Sequence, residues 1–436
     1  MGVSDRLYIE FVNSCGISTD TRSLKPGEMF IALSGENYDG NAFAQSAIDK
    51  GASCVVVSDP EIVGLNVVHV QDTLLALQEL ASVHRGILKI PIIAITGSNG
   101  KTTTKELLSK VLATKFVTTA TKGNLNNHIG VPLSLLSISK KSEMAIIEIG
   151  ANHIGEVRSL CDLTRPTHGL VTNIGKAHLE GFGSLEGVKT AKSELYESLA
   201  SSNGVAFVNM TADYLGDLSI NVAQKVKYAI EGGAHDSAVD YRFSQEPSKN
   251  GVCVGWNTPD GEKFVFESAL FGSFNVPNIA TAVTVGLHFG VGPADIKIAI
   301  ESYRPSNNRS QIVKKEGKTI FLDAYNANPV SMELAIAEIA RRNGKKSLIL
   351  GGMNELGTHE TEEHLKLLEI VDQFEWKEVL LVGIQFSSLH QSFGFHWFHT
   401  VEECQEHLQK NVLAGDIVLI KGSRSFHLES LLDYIK

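Results

Sequence analysis

The chain has 436 residues, of which 43% are hydrophobic and 20% are charged. This composition is typical of globular proteins and excludes a disordered, collagen-like or coiled-coil chain. There are 39 basic and 49 acidic residues, and the resulting net charge of −10 disfavours nonspecific binding to nucleic acid.

The length predicts about three domains, at roughly 150 residues each. The five cysteines lie far apart and form no Cys-x-x-Cys pair, which is typical of free thiols in a reducing compartment. The first residues lack the basic and apolar regions of a signal peptide, and no apolar run reaches the roughly 18 residues that span a bilayer. We therefore expect a cytoplasmic protein without a membrane span.

Residues 1–88 predict a small α/β domain. The apolar segments 30–33 and 53–58 have the pattern of strands, and residues 42–51 between them have the pattern of a helix. No pattern in this region indicates catalysis.

Residues 89–305 predict a central domain with a parallel sheet. The β-branched run 89–96 is followed by a glycine-rich turn and an amphipathic helix. Further strands are predicted at 117–121, 144–150, 168–175 and 204–210, and their alternation with helices indicates a sheet covered on both faces. Residues 225–270 predict an antiparallel extension, and residues 275–290 predict a return to helix.

Residues 306–436 predict a smaller, Rossmann-like α/β domain after a linker at 305–309. Strands are expected at 318–324, 346–352, 378–383 and 415–422, each followed by a helix.

The strongest chemical signal is the segment GSNGKTT, which follows a predicted buried strand and begins a helix. Glycines let backbone N–H groups approach phosphate oxygens, and a helix N-terminus adds partial positive charge. The segment is a shortened variant of the GxxxxGK[ST] phosphate loop, because Ile95 stands where that pattern has its first glycine. The alternative is an ordinary glycine-rich turn. The candidate nucleotide-binding residues here are Gly97, Ser98, Asn99, Gly100, Lys101, Thr102 and Thr103.

Polar residues also follow the neighbouring strands. Glu148 ends the strand 144–150, where a carboxylate faces the ligand crevice of an open α/β sheet and is suited to Mg²⁺. Asn173 lies near the end of the strand 168–175, and Lys176 and His178 come just after it. The alternatives are a strand-end acid facing water and a structural histidine.

Other candidates lie farther along the chain. Lys192 is in a predicted helix, where the spacing alone indicates a solvated lysine. Arg309 follows the linker and is suited to reach a γ-phosphate after domain closure. The segment LDAYNANP is suited to nucleotide or substrate contacts, although Asn and Pro also favour a plain turn. It carries Asp323, Tyr325, Asn326 and Asn328.

The amide-rich segment GNLNNHIGVP, residues 123–132, is suited to recognising neutral polar groups. Its asparagines, Asn126 and Asn127, are also good helix N-caps, so recognition and capping both remain open.

Together these motifs resemble the Mur ligase family over nearly the whole chain. The resemblance rests on STDTR, PGEMFIALSGENYDG, GSNGKTTTKE, GNLNNHIGVP, EIGANHIGE, TNIGKAHLEGFGSLEGVKTAKSEL, AYNANP, MNELG and KGSR. The family implies an N-terminal domain that binds the UDP part of the substrate, a central ATP-binding domain and a C-terminal domain that closes over the site.

The resemblance also implies roles for individual residues. Lys101 would contact ATP phosphates, Thr102 and Glu148 would ligate Mg²⁺, and His178 would join Glu148 at a second Mg²⁺. Lys192 matches a family lysine that CO₂ converts to a carbamate, which would make it a metal ligand. Asn275 and Asn278 match adenine-side residues, and Asp323 matches a ribose contact. Substrate recognition is implied for Asp20, Arg22, Asn126, Asn127, Tyr325, Asn326 and Asn328.

The implied activity is ATP-dependent amide formation between UDP-N-acetylmuramoyl-tripeptide and D-alanyl-D-alanine, through an acyl phosphate, by a monomer. The alternatives are a sister ligase that adds one amino acid, a folylpolyglutamate-type ligase, an NTPase that forms no bond, and an inactive UDP-sugar-binding module. The motifs GNLNNHIGVP and YNANP favour the dipeptide-adding member.

Overall fold

The computed structural model describes residues 3–232, 238–248 and 251–436. Three separate β-sheets follow one another along the chain, with four, nine and six strands, and a short two-stranded hairpin accompanies the first. Helices pack against each sheet, so the architecture is α/β throughout. This agrees with the fold class predicted from the alternation of strand and helix patterns.

The first sheet is parallel and has short strands. Its apolar residues, such as Phe30 and Val55, are almost fully buried and form the core of this part of the chain. In spatial order the strands are β1, β2, β5 and β6, with β3 and β4 forming the hairpin. The elements are α1 (Val3–Asn13), β1 (Ile17–Ser18), β2 (Met29–Ile31), β3 (Ser34–Gly35), β4 (Tyr38–Asp39), α2 (Ala44–Asp49), β5 (Cys54–Val57), β6 (Val67–His69) and α3 (Thr73–Ile87).

The second sheet begins with β7 (Ile92–Thr96), all five of whose residues are buried. Helix α4 (Lys101–Leu112) follows β7 directly and packs with α10 (Val276–His288) beside the sheet. The other elements are β8 (Thr118–Ala120), α5 (Gly130–Leu136), β9 (Met144–Glu148), α6 (Glu156–Thr164), β10 (His168–Val171), α7 (Leu179–Phe182), α8 (Leu185–Ser201), β11 (Val205–Asn209), α9 (Asp213–Leu218), β12 (Gln224–Ile230), β13 (Tyr241–Glu246), β14 (Val252–Asn257), β15 (Lys263–Ser268) and α11 (Pro293–Ser302).

The spatial order of the second sheet is β15-β14-β13-β12-β11-β10-β7-β9-β8. Strands β7 to β13 run parallel to their neighbours, including the pair β12 and β13. Only β13, β14 and β15 pair in antiparallel fashion. The predicted antiparallel extension over 225–270 is therefore wrong for its first strand, because β12 continues the parallel ladder from β11.

The third sheet has the order β16-β17-β21-β18-β19-β20 and is parallel except for its edge strand β16. The sequence prediction omitted β16 and β20, and a short 3₁₀ stretch at Leu428–Tyr434 follows β21 in place of the expected helix. The elements are β16 (Gln311–Lys315), β17 (Lys318–Asp323), α12 (Pro329–Ala340), β18 (Lys346–Gly351), α13 (Glu360–Asp372), β19 (Glu378–Val382), β20 (His396–Phe398), α14 (Val401–Lys410) and β21 (Ile417–Lys421).

Candidate functional site

The glycine-rich loop connects β7 to α4 at the carboxyl edge of the central sheet. Gly97 has φ +140°, and a Cβ there would lie 2.0 Å from Thr172 Oγ1. Gly100 has φ +81° at the N-cap of α4, where a Cβ would lie 2.6 Å from Asn278 Oδ1. Both positions therefore require glycine, and the first turn of α4 faces the crevice with backbone N–H groups that have no intrahelical acceptor.

The residues after β10 hold this loop in place. The Ser98 N–H donates to the Asn173 carbonyl at 2.9 Å, and the Asn99 N–H donates to Asn173 Oδ1 at 3.0 Å. Asn173 Nδ2 and Thr172 Oγ1 both donate to the Asn99 carbonyl. Asn173 thus holds the loop in position through its hydrogen bonds with Ser98 and Asn99.

Lys101 is the first residue of α4 and folds back over the loop. Its Nζ donates to the Gly97 carbonyl at 2.5 Å and to the Ser98 carbonyl at 3.2 Å. Burial lowers the pKa of Lys101 to about 8, and the negative charge of Glu148 opposes that shift. An anion at the loop would stabilise the charged ammonium group.

Glu148 ends β9 beside the loop and is 1% exposed. Its Oε1 accepts hydrogen bonds from Asn126 Nδ2 at 2.8 Å and Thr102 Oγ1 at 3.2 Å. Its Oε2 is buried without a hydrogen-bond partner, although Lys105 Nζ lies 4.0 Å away. An orphaned carboxylate oxygen beside a threonine hydroxyl fits a hard cation such as Mg²⁺.

Lys192 is also almost fully buried, at 1% exposure. Its Nζ donates to the Ala151 carbonyl at 3.3 Å and lies 5.0 Å from the centre of the Phe182 ring. Burial, reinforced by repulsion from Lys101, lowers its pKa to about 7. Lys192 is thus a buried amine with a lowered pKa, in contrast to the solvated lysine that its spacing alone indicated.

Two ion pairs join the central domain to the third sheet and its helices. His178 Nδ1 lies 2.5 Å from Glu355 Oε2, and Lys176 Nζ lies 2.7 Å from Glu363 Oε1. His178 lowers the pKa of the Glu355 carboxyl by its hydrogen-bonding and charge. His178 thus lies at the boundary between the domains.

Asn275 and Asn278 lie in a buried hydrogen-bond chain beside α4. Thr104 Oγ1 donates to Asn278 Oδ1, and Asn278 Nδ2 donates to Asn275 Oδ1. Asn275 Nδ2 then donates to the Phe271 carbonyl and to Ser310 Oγ. These amides support the start of α10 in this structure.

The LDAYNANP segment begins at the end of β17, and its acid, Asp323, has protein partners. Asp323 Oδ2 lies 2.5 Å from Lys421 Nζ, and Oδ1 accepts from the Ser310 N–H at 3.0 Å. Arg309 stacks on Tyr325, with 3.6 Å between the guanidinium carbon and the ring centre. Its Nε is buried without a partner, so it retains a free donor.

The remaining asparagines of these motifs accept hydrogen bonds from backbone N–H groups, and one of them also contacts the phosphate loop. Asn328 caps α12 in a capping box with Ser331, and its Nδ2 donates to Asn99 Oδ1 at 2.7 Å. It therefore connects the third domain to the loop. Asn326 Oδ1 accepts from the Ala327 N–H, and Asn127 Oδ1 accepts from the Gly130 N–H at the start of α5.

Asp20 and Arg22 form an exposed ion pair on the first domain, 2.6 Å apart. The hydrogen bonds of Arg22 lower the pKa of Asp20 to about 2. No hydrogen bond within the described residues links either side chain to the phosphate loop.

A cavity of about 510 Å³ opens beside the end of β9. It is lined by Asn127, His128, Gly150, Ile154, Gly155, Glu156, Ser159 and Leu160. Its size is within the range of small-molecule sites.

Within residues 3–232, 238–248 and 251–436, no three His, Cys, Asp or Glu side chains are gathered as a metal centre, and no helix is long and apolar enough to cross a membrane. A shared metal site of Glu148, His178 and Lys192 therefore stays a prediction.

Several residues that contact the predicted site residues had no role assigned from the sequence alone. Glu355 and Lys421 lie in the quoted motifs MNELG and KGSR, but a motif does not show which distant side chain its residues meet. Glu363 lies on α13 among other acids, and no sequence signal distinguishes it.

Comparisons with protein families and known proteins cover almost the whole chain. The family descriptions are "Mur ligase family, catalytic domain" at residues 14–85, "Mur ligase middle domain" at 95–286 and "Mur ligase, glutamate ligase domain" at 308–424. The UDP-N-acetylmuramoyl-tripeptide–D-alanyl-D-alanine ligase of Bacillus subtilis (strain 168) is 33% identical, over 96% of this chain and 92% of that protein.

Solved structures are similar over the same extent. MurF from Acinetobacter baumannii matches with a TM-score of 0.87 and 30% identity, over 99% of this chain and 97% of that one. MurF ligase from Thermotoga maritima in complex with ADP matches with a TM-score of 0.82 and 25% identity, over 97% of both chains.

Proposed function

The chain belongs to the Mur ligase family, and we propose that it joins D-alanyl-D-alanine to UDP-N-acetylmuramoyl-tripeptide at the expense of ATP. The products are UDP-N-acetylmuramoyl-pentapeptide, ADP and phosphate. The observation that carries the mechanism is the juxtaposition of the phosphate loop with buried Glu148, through the contact between Thr102 and Glu148.

Three domains, at 1–88, 89–305 and 306–436, would each bind a different part of the substrates. The first would bind the UDP moiety, with the exposed polar pair Asp20 and Arg22 available to it. The central domain would bind ATP on the loop, and the third would close over both. The contact between Asn328 and Asn99 supports this arrangement, because it joins the third domain to the loop itself.

The first chemical step is phosphoryl transfer. A terminal carboxylate oxygen of the tripeptide attacks the γ-phosphorus of ATP, the bond to the bridging oxygen breaks, and ADP leaves. The N–H groups at the start of α4 and the Lys101 ammonium group would bind the phosphates and offset their charge. Arg309 has an unpaired buried donor and would add charge stabilisation at the γ-phosphate.

Thr102 and Glu148 would hold Mg²⁺, which neutralises phosphate charge when bound, and His178 and Lys192 would serve a second ion. The lowered pKa of Lys192 supports carbamylation, because CO₂ reacts with the neutral amine. The carbamate would carry negative charge in place of the ammonium group.

The second step forms the amide. The amine of D-alanyl-D-alanine attacks the acyl phosphate carbonyl, a tetrahedral intermediate collapses, and the departing phosphate takes up the proton that the amine loses. Water competes for the acyl phosphate, so closure of the third domain would protect it.

Asn275 and Asn278 would lie on the adenine side and Asp323 near the ribose, although all three have protein partners in this structure. The cavity beside β9 is a candidate for the substrate, with Asn127 in its wall. The remaining proposed substrate contacts are Asn126, Tyr325, Asn326 and Asn328. We propose that the enzyme acts as a monomer in the cytoplasm, where its free thiols would remain reduced.

The decisive experiment measures phosphate release from ATP and Mg²⁺ with each substrate alone and with both together. Release only with both, matched by formation of UDP-linked pentapeptide, is the expected result. Equal release without the amine would favour an NTPase. Turnover only with single amino acids would indicate a sister ligase.

A further inference from the structure

The loop of residues 353–357, after β18, reaches across to the central domain beside the phosphate loop. Glu355 Oε2 lies 2.5 Å from His178 Nδ1, and the Glu180 N–H donates to the Glu355 carbonyl at 3.2 Å. Glu355 also lies near enough to Lys101 for each charge to shift the pKa of the other. Its carboxylate therefore belongs to the electrostatic environment of the site.

Both partners have backbones in the left-handed region. His178 has φ +51° and Glu355 has φ +62°, and neither is glycine. Such conformations are unfavourable for these residues and persist where the surrounding structure holds them, which occurs most often at functional sites. Here the side-chain pair and the bond from Glu180 join the two strained positions.

The pair is poorly suited to a purely stabilising role. The Glu355 side chain is 48% exposed, and exposed ion pairs contribute little to stability. His178 Nδ1 meets Glu355 Oε2 as a close charge contact without hydrogen-bond geometry. Within the described residues Nε2 has no hydrogen bond, so the ring presents Nδ1 to Glu355 and leaves Nε2 free. A histidine oriented by a carboxylate through one nitrogen is a common arrangement for ligand binding through the other.

We propose that Glu355 is a positioning residue that fixes the His178 imidazole when the third domain is closed. It leaves Nε2 available to the metal ion and phosphate groups of the site. The proposal rests on the proposed function, since it assumes that His178 serves the ATP–metal site. It gives domain closure a direct effect on the site, because the orienting carboxylate comes from the moving domain.

The chain offers a matched control. Lys176 and Glu363 form a second ion pair across the same boundary, with 2.7 Å between Nζ and Oε1. Lys176 lies two residues before His178 in the sequence. Removing Glu363 takes away one interdomain charge pair without removing the partner of His178. The two acids therefore separate positioning of His178 from general attachment of the third domain.

The test uses the full chain with ADP and Mn²⁺ as a spectroscopic probe, and electron paramagnetic resonance reports the fraction of bound Mn²⁺ without turnover. We expect Glu355→Gln to weaken Mn²⁺ binding by roughly ten- to a hundredfold, as removal of an orienting partner does elsewhere. His178→Gln should weaken it at least as much, and the double variant should be no worse than His178→Gln alone. Glu363→Gln should stay within about twofold of the wild type, because its partner Lys176 is 43% exposed and remains solvated without it.

Turnover gives a second readout. Glu355→Gln should lower kcat with a smaller change in the KM for D-alanyl-D-alanine. Glu355→Asp keeps the charge but shortens the reach, so it should share the Mn²⁺ defect. Circular dichroism establishes that each variant is folded; if Glu355→Gln is not folded, Glu355→Asp carries the test.

Unchanged Mn²⁺ binding in folded Glu355→Gln or Glu355→Asp would overturn the proposal. So would additive losses in the double variant, or an equal loss in Glu363→Gln. If the wild type forms no pentapeptide but the Mn²⁺ results hold, the proposed substrate is wrong and the positioning role stands.

Discussion

At the scale of single residues, the site combines buried charged groups that lack ordinary partners. Glu148 has one carboxylate oxygen without a hydrogen bond, and Lys192 has only a carbonyl within hydrogen-bond distance. Burying such groups is unfavourable unless a ligand or a chemical change compensates them. A cation beside Glu148 and a carbamate on Lys192 would each provide that compensation.

Lys192 provides the residue-scale prediction. Lys192→Ala should lower kcat about a hundredfold or more, because a charged group of the site is lost, and short carboxylates such as formate should restore part of it. The measurement is pentapeptide formation with increasing carboxylate concentration. Lys189→Ala is the control, since Lys189 lies on the same helix and pairs with Glu186. Full activity of Lys192→Ala without added carboxylate would refute the carbamate.

At the scale of elements, the site depends on how β7, β10 and α4 meet. The loop after β7 is too close to the end of β10 for any side chain at Gly97, and Asn173 accepts hydrogen bonds from the N–H groups of Ser98 and Asn99. Close packing of backbone on backbone therefore determines where the N–H groups of α4 point.

Gly97→Ala tests this packing. The added methyl would collide with Thr172 Oγ1, 2.0 Å away, and the displaced loop should lower kcat about a hundredfold. The control is Gly123→Ala, because Gly123 also has a positive φ, +55°, but has open space around its Cβ position. Steady-state kinetics and ATP affinity of the two variants are compared. If both variants lose kcat to the same extent, the loss comes from the positive φ angle and not from the contact with Thr172.

At the scale of the whole molecule, three of the polar contacts that join the third domain to the central one lie beside the phosphate loop. They are the pairs of Lys176 with Glu363, His178 with Glu355 and Asn99 with Asn328. All three involve residues of the phosphate loop or of the segment after β10. A movement of the third domain would therefore change contacts of the site itself.

Global stability should fall in mild acid because of His168. This residue stacks on Phe207 with His288 nearby, and burial lowers its pKa to about 4. The unfolded chain binds a proton near pH 6.5 and the folded chain only near pH 4, so stability is lost as the pH falls between these values.

The contribution of this one group is at most about 1.4 kcal/mol per pH unit. The measurement is the urea unfolding midpoint from pH 7 to pH 4. His168→Phe should flatten the profile relative to the wild type, and His153→Gln, at an exposed position, should not. A parallel pH dependence in the wild type and His168→Phe would contradict the prediction.

Local patterns were sufficient to predict much of this protein. Buried strands appear as apolar runs, and a phosphate loop appears as glycines before a helix, because each reflects only neighbouring residues. The strands β7, β9, β10 and β11, the loop and the family followed from the sequence. The parallel pairing of β12 did not, since a short polar strand has the same local pattern in either direction.

Tertiary structure alone decided which side chains meet across the domains. Lys176 pairs with Glu363, and His178 pairs with Glu355, although each pair is far apart in sequence. Such contacts depend on how whole domains pack, and periodicity carries no information about that arrangement. The burial of Lys192 has the same origin: its spacing indicated solvent, and packing of α8 against α6 and the central sheet made it a buried amine with a lowered pKa.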